Sequence, residues 1–152
     1  MGNREEQLAT AKQLIHQQCG SISKVSSLYE TAAWGKTDQA AFLNQALELE
    51  TALNARQLMR HLLKIEKQMG RLRKEKYGPR IIDIDILLFN MEKYNYALLK
   101  LPHPEMQNRR FALLPLTEIA PDAVHPVFNK TIGQMLKECS DKIHVKRLVN
   151  KD

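Results

Sequence analysis

IIDIDILLF, at residues 81–89, has the clearest strand pattern in the chain. Side chains on a strand alternate between its two faces, so Asp83 and Asp85 are predicted to point the same way, roughly 6–7 Å apart at their Cα atoms. Ile82, Ile84 and Ile86 then point to the opposite face, which we expect to be buried. Two adjacent carboxylates repel each other unless a cation lies between them or one of them is protonated. The pattern therefore predicts a strand that carries an acidic pair on one face.

The acidic pair indicates a magnesium site. Mg²⁺ takes oxygen ligands and is often held by one or two carboxylates together with substrate phosphates. The alternative is a pair that simply faces water on a half-exposed sheet. A basic segment directly before the pair, Lys64–Arg80, has seven basic and two acidic residues, so it carries +5 of the net charge of +6. A metal beside arginines is what phosphoryl transfer requires, which favours the magnesium site.

The basic segment on its own is open to three interpretations: a solvated helix end and loop, a nucleic-acid surface, or a site for the phosphates of a small ligand. Aromatic residues make up only 6% of the chain, and no Lys/Arg-Gly-Phe-type RNA-binding strand motif is present. The acidic pair would also repel a phosphate backbone. We therefore expect small-molecule substrates and no nucleic-acid partner.

Helices and strands intermix along the chain without a regular βαβ period. This order predicts an α+β fold in which helices pack on a mainly antiparallel sheet. Apolar residues at helical spacing predict helices at about 4–18, ending near Gly20, and from a cap at Asn54 with Gln57 to Gly70. Further predictions are strands at 22–31, 42–53 and 143–149, a loop at 32–39, turns at 77–79 and 101–104, a helix or turn at 108–119 cut by Pro115, and a helix at 131–138.

Length and composition are those of an ordinary globular domain. The chain has 152 residues, of which 43% are hydrophobic and 26% charged, and we expect one domain over residues 1–152. Cys19 and Cys139 lie far apart and belong to no metal-binding cluster, which excludes a zinc site or a disulfide scaffold as the organising principle. No apolar run is long enough for a membrane helix and no secretion signal is visible. A cytoplasmic monomer without a membrane partner is expected.

Several short motifs follow one another in an order that is specific to one family. Gly78-Pro79-Arg80 precedes Asp83-Ile84-Asp85, and Pro102-His103-Pro104 and Arg109-Arg110-Phe111 come after it. Upstream lie Tyr29-Glu30-Thr31, Trp34-Gly35, Gln39 and Phe42-Leu43-Asn44. Together, over nearly the whole chain, these motifs resemble the 6-hydroxymethyl-7,8-dihydropterin pyrophosphokinase family of folate biosynthesis.

The resemblance implies a ferredoxin-like α+β fold and transfer of the β,γ-diphosphate of ATP, the co-substrate, to the hydroxymethyl group of the pterin, with release of AMP. It implies two Mg²⁺ ions held by Asp83 and Asp85, and phosphates gripped by Arg71 and Arg80, whose planar guanidinium groups bind phosphate oxygens bidentately. The remaining residues that the resemblance places at ATP are Glu66, Arg73, Tyr77, Ile86, His103 and Arg109.

On the pterin side, the resemblance implies that Phe42 and Phe111 sandwich the flat bicycle and that Asn44 bonds its polar edge. It also implies backbone contacts from Thr31, Ala32 and Trp34. Without the family motifs, both phenylalanines are equally well interpreted as core residues, and His103 as a surface residue.

The start of the chain departs from the family pattern. Relatives open with a strand and a Gly-Ser-Asn turn before the segment that Gly2-Asn3 matches. That strand is central in a ferredoxin-like sheet, so we expect neighbouring strands to lack a partner. An inactive or partner-dependent relative is therefore the alternative to an active enzyme.

Overall fold

The computed structural model describes residues 3–31, 42–70 and 82–148 of the chain. Helices and short antiparallel strands intermix in these residues, which confirms the α+β class. The chain divides into two compact units, and the expectation of a single domain stays a prediction. The first unit comprises Met1–Ser23 and Leu49–Ile86, and the second comprises Lys24–Glu48 and Leu87–Asp152. The elements are α1 (Asn3–Gln18), β1 (Ser21–Val25), β2 (Tyr29–Thr31), β3 (Phe42–Asn44), β4 (Leu47–Glu50), α2 (Ala55–Gly70), β5 (Tyr94–Tyr96), β6 (Leu99–Leu101), a 3-10 helix (Met106–Asn108), α3 (Arg110–Ile119), α4 (Ile132–Glu138) and β7 (Val145–Arg147).

Helix α2 confirms the sequence pattern in the first unit. The Asn54 side chain accepts a hydrogen bond from the Gln57 backbone N–H at 2.8 Å, and the Gln57 side chain accepts one from the Asn54 N–H at 2.9 Å. This reciprocal pair satisfies two N–H groups that a helix start leaves unbonded. The helix packs against α1, which also lies where the sequence predicts it. Its buried stripe consists of Ala55, Leu58, Leu62, Ile65 and Met69.

Gly20 connects α1 to β1 at a point where the backbone of Glu50 comes very close. A Cβ atom at Gly20 would lie 2.2 Å from the Glu50 carbonyl oxygen, and the glycine has a φ of +157°. Only a residue without a side chain allows this approach. The close contact fixes where the strand after α1 starts.

The strands predicted at 22–31 and 42–53 are each broken in the middle, so those two predictions are wrong as continuous strands. Both breaks occur at one contact, where the Ser26 N–H still donates to the Ala46 carbonyl at 2.9 Å. The Ala46 N–H, however, donates to Ser26 Oγ at 2.8 Å, and the Ser26 carbonyl accepts from the Gln45 amide at 2.9 Å. The side chains of Ser26 and Gln45 have thus replaced backbone hydrogen bonds of the ladder, because hydroxyl and amide side chains compete with the backbone for such bonds. Strand β1 pairs with β4, and β2 pairs with β3, on either side of this break.

A three-stranded antiparallel sheet in the order β3-β2-β7 organises the second unit. Tyr29 lies opposite Asn44, and Thr31 lies opposite Phe42, while β7 pairs with the other edge of β2. Helix α3 packs on β2 and β3, and it also packs against α4. A hydrophobic core lies beneath these helices and is formed by Met106, Leu113, Leu116, Ile132, Met135 and Cys139.

Helix α3 continues through Pro115, so the predicted interruption is wrong. A proline inside a helix removes one backbone hydrogen bond. The Pro115 ring is fully buried, and this packing offsets the lost bond. Helix α4 confirms its prediction, with a capping box between Thr131 and Gln134. In the described ranges, no helix combines the length and the apolar character needed to cross a bilayer.

Residues 82–89 form no strand ladder, although the sequence predicts a strand there. The alternation of exposure is nevertheless present, because Asp83 and Asp85 are exposed and Ile86 is buried. The alternation of polar and apolar residues therefore predicts correctly which side chains are exposed. It does not show whether a neighbouring strand pairs with this segment. The structure adds a hairpin, β5–β6, that the sequence analysis did not predict.

We expect Gly20→Ala to destabilise the protein by about 1–3 kcal/mol, because the new Cβ would collide with backbone that is unable to move independently. Gly133→Ala is the matched control. Its Cβ would lie at an ordinary 3.4 Å from the nearest oxygen, and alanine is favoured over glycine inside a helix by about 1 kcal/mol. Urea unfolding of both variants measures the difference, and equal free energies of unfolding would contradict the close approach.

Candidate active site

The acidic pair lies on a segment that a helix side chain holds in place. Asp83 and Asp85 are both exposed, with Ile84 half-buried between them. The Ile84 N–H donates to the Glu66 carboxylate on α2 at 2.6 Å. The family resemblance assigns Glu66 to the nucleotide, and in the structure this side chain bonds the backbone between the two aspartates. This bond compensates in part for the missing ladder.

The number of carboxylates bears on which metal fits. Among the described residues, no group of three or more His, Cys, Asp or Glu side chains is arranged to hold a metal ion. A pair of exposed carboxylates fits Mg²⁺, which keeps several waters and takes its other ligands from substrate phosphates. It does not fit a structural zinc site, which needs four protein ligands. The exposed pair therefore supplies the oxygen donors that Mg²⁺ prefers.

His103 lines a cleft of about 350 Å³ in the second unit. Its backbone N–H donates to the Leu87 carbonyl at 2.9 Å, and its Nδ1 accepts from the Glu105 N–H at 3.1 Å. Since Nδ1 is an acceptor, the proton of the neutral imidazole is on Nε2. The cleft offers flat rings and ammonium groups, from Tyr94, Phe128, Lys93 and Lys100.

His125 forms a fixed wall of the same cleft, and the sequence analysis did not identify it. The ring is 2% exposed and stacks on Phe128 with 4.4 Å between ring centroids. Its Nδ1 accepts from the N–H groups of Val127 and Phe128 at 3.2 and 3.1 Å. Burial lowers the pKa of His125, so the ring is neutral near pH 7.

Thr31, Phe42 and Asn44 lie on one face of the sheet. Directly opposite residues of an antiparallel pair share a face, and so do residues two apart on one strand. Phe42 is 63% exposed, which is unusual for a phenylalanine in a strand. The Thr31 hydroxyl is buried and has no hydrogen-bond partner within the ranges that the structure describes. Both features leave binding capacity unused in the free protein.

Arg109 and Phe111 lie at the start of α3, the helix that packs on β2 and β3. The Arg109 guanidinium carbon lies 5.8 Å from the centroid of the Phe111 ring. This is the distance range of a cation–π contact. The Arg110 N–H donates to the Asp141 carboxylate at 3.0 Å, which caps the helix and fixes where it begins. The sequence analysis did not identify Asp141, because it is distant in sequence.

A second carboxylate in this unit, that of Glu118, accepts several hydrogen bonds. Glu118 on α3 accepts a hydrogen bond from the Tyr29 hydroxyl at 2.6 Å and two from Ser27 at 3.0 and 3.1 Å. Burial and the bond to Glu118 raise the pKa of Tyr29 to about 12. Burial alone would raise the pKa of Glu118, but the bonds from Tyr29 and Ser27 and the charge of Arg147 lower it below the ordinary value. The carboxylate is therefore ionised at neutral pH.

Six of the candidate residues lie outside the described residues. They include both arginines assigned to the phosphates and two residues of the pterin side. They are Arg71, Arg73, Tyr77, Arg80, Ala32 and Trp34.

Comparison with known proteins identifies the kind of enzyme. The family model for 7,8-dihydro-6-hydroxymethylpterin-pyrophosphokinase matches residues 1–121. A 2-amino-4-hydroxy-6-hydroxymethyldihydropteridine pyrophosphokinase from Aquifex aeolicus is 43% identical over 117 residues, which are 77% of this chain and 73% of that protein. The enzyme of the same name from Bacillus subtilis is 47% identical over 120 residues, covering 78% of this chain and 72% of that protein. The folic acid synthesis protein fol1 of Schizosaccharomyces pombe is 38% identical over 144 residues, or 94% of this chain and 19% of that protein.

The α+β fold and these matches define an ATP-dependent pyrophosphokinase, a diphosphotransferase. The chain belongs to the 7,8-dihydro-6-hydroxymethylpterin-pyrophosphokinase family. The resemblance derived from the sequence motifs is thereby confirmed, and with it the ferredoxin-like α+β class of the family.

We expect Thr31→Val to raise the free energy of unfolding by about 1 kcal/mol, because valine removes a buried hydroxyl that has no partner among the described residues. Thr51→Val is the control. The Thr51 hydroxyl donates to the Cys19 carbonyl at 2.5 Å and accepts from the Leu53 N–H at 3.1 Å, so its loss is expected to cost about 1–3 kcal/mol. Chemical denaturation of both variants provides the measurement, and an equal loss at Thr31 would contradict the unpartnered hydroxyl.

Proposed function

We propose that this protein transfers the β,γ-diphosphate of ATP to the hydroxymethyl group of 6-hydroxymethyl-7,8-dihydropterin and releases AMP, as a step of folate biosynthesis. Family membership supports the reaction class. One observation supports the proposal at the level of residues. Asp83 and Asp85 are both exposed, and the backbone between them is hydrogen-bonded to Glu66. Such a pair suits a charged ligand that brings its own cation, as a nucleotide triphosphate does.

Asp83 and Asp85 are proposed to hold two Mg²⁺ ions together with the triphosphate. When bound, these ions neutralise charge on the phosphate oxygens and lower the barrier to deprotonation of the attacking hydroxyl. The contribution of the chain is to keep the two carboxylates in position before the nucleotide binds. The Glu66–Ile84 hydrogen bond provides this, since it restrains the residue between them.

The nucleotide is proposed to contact three further groups of side chains. Arg71 and Arg80 are proposed to act as catalytic residues that bind the transferring phosphates, and Arg73 and Tyr77 to contact the same nucleotide. His103 contributes the Nε2 proton as a donor, because its Nδ1 is already used by the Glu105 N–H. Ile86 and Arg109 complete the proposed ATP contacts, together with Glu66.

The pterin is proposed to bind against the face that carries Thr31, Phe42 and Asn44. Phe42 and Phe111 stack on the two sides of the flat bicycle, and the exposure of Phe42 supports this role. Asn44 both donates and accepts along the polar edge of the ring. Thr31 is proposed to contribute a backbone contact to the ligand. Ala32 and Trp34 are proposed to add contacts to the same ligand.

The remaining expectations from the sequence extend this proposal. ATP and the pterin are the proposed partners, with no nucleic acid and no membrane. The protein is proposed to act in the cytoplasm as a monomer, with residues 1–152 as one pyrophosphokinase domain.

The test is an assay for AMP release with ATP, the hydroxymethyl pterin and Mg²⁺, each also omitted in turn. We expect AMP only when all three are present. Asp83→Ala or Asp85→Ala is expected to lower kcat by about 10³-fold or more, since loss of several kcal/mol of charge stabilisation corresponds to about tenfold for each 1.4 kcal/mol. Both side chains are exposed, so we expect near-normal thermal unfolding.

Asp122→Ala is the matched control, because this aspartate is also exposed and belongs to none of the proposed contacts. It is expected to keep full activity. Calorimetric titration of a non-hydrolysable ATP analogue with Mg²⁺ gives a second readout, in which the variants at Asp83 and Asp85 lose affinity and Asp122→Ala does not. Near-normal turnover of the aspartate variants would contradict the metal role. A folded wild-type chain that binds no ATP would instead support the inactive or partner-dependent relative.

A further inference from the structure

Glu118 ties helix α3 to two strands through one carboxylate. Its Oε1 accepts from the hydroxyl of Tyr29 in β2, and its Oε2 accepts from the backbone N–H and the hydroxyl of Ser27. Arg147 in β7 places Nη2 at 3.8 Å from the same Oε2 and donates from Nε to Ser27 Oγ at 3.0 Å. Hydrogen bonds to an ionised acceptor are among the stronger ones in proteins. The carboxylate is thus a bonded junction between helix and sheet.

The proposed pterin residues occupy the same helix stripe and the same sheet face as this junction. Phe111 and Glu118 are seven residues apart on α3, so they lie on one side of the helix, about 10 Å apart along its axis. Tyr29 pairs with Asn44 across the sheet. Thr31, opposite Phe42, is two residues further along β2, which is about 6–7 Å. A shift of α3 at Glu118 therefore changes the spacing between Phe111 and the strand residues.

We propose that Glu118 is a positioning residue for the pterin, which keeps Phe111 on α3 at the spacing from Phe42 and Asn44 that one flat ring requires. This inference rests on the proposed function, because it assigns the pterin to those residues. Glu118 touches no reacting atom and acts only through the position of α3. One oxygen is bonded to Tyr29 in β2 and the other to Ser27 just before β2, so the helix is held at two points of the same chain segment.

Glu118→Gln tests the proposal. The amide keeps the size of the side chain and one acceptor oxygen, but its NH₂ group replaces the acceptor that faces either Ser27 or Tyr29. We expect KM for the pterin to rise about tenfold, while KM for ATP and kcat stay within twofold. Loss of binding that is equal in ground state and transition state has this signature, whereas general loss of structure changes all three constants.

Tyr29→Phe removes the donor to Oε1 without removing the ring, and it should raise the pterin KM in the same direction. If both residues act through one junction, the double variant raises the pterin KM by less than the product of the two single effects. Tyr29→Phe also keeps the test decisive if Glu118→Gln does not fold. Glu138→Gln is the matched control. Glu138 on α4 forms an exposed ion pair with Lys130 at 2.7 Å, and its loss should leave both KM values within twofold.

The outcomes separate this inference from the proposed function. A wild-type protein that releases no AMP in the presence of the pterin overturns both. An active wild type whose Glu118→Gln variant keeps its pterin KM within twofold overturns the inference alone. The inference also fails if KM for ATP rises in parallel with that for the pterin, or if Tyr29 and Glu118 have fully independent effects.

Discussion

The hydrogen bond from the Ile84 N–H to the Glu66 carboxylate is the constraint on which the proposed chemistry depends. Residues 82–89 have no ladder, so a helix side chain 18 positions earlier takes the place of a neighbouring strand at this point. At 2.6 Å the bond is short, as expected of a charged acceptor. With this bond in place, the side chains of Asp83 and Asp85 are exposed to solvent, where a bound cation relieves the repulsion between them.

The same device occurs in each unit. In the first, Glu66 of α2 accepts from backbone beside the aspartates, and in the second, Glu118 of α3 accepts from backbone and hydroxyl groups beside the strand residues. In both cases a carboxylate borne by a helix orders a segment that carries candidate ligand-binding side chains. An ionised acceptor suits this task because leaving it unbonded would be costly, so the bond strongly favours one arrangement.

The sequence predicted what depends on local pattern and missed what depends on distant partners. The stripe of α2, the cap at Asn54 and the helix at 131–138 follow from spacing, and the structure has them. The break at Ser26 depends on Ala46, and the pairing of residues 82–89 depends on a neighbour, so neither follows from periodicity. In the candidate site, the motifs assigned Thr31, Phe42 and Asn44 to the pterin, and that assignment stays a prediction. They gave no signal for Glu118, whose partner Tyr29 is 89 positions away, or for His125 in the cleft wall.

The most direct test of the central claim is a crystal structure of the protein with a non-hydrolysable ATP analogue and Mn²⁺ in place of Mg²⁺, using anomalous scattering to locate the metal. The account predicts metal peaks in contact with both Asp83 and Asp85 and with phosphate oxygens, while the Ile84 N–H remains bonded to Glu66. A bound nucleotide with no metal beside either aspartate would contradict it.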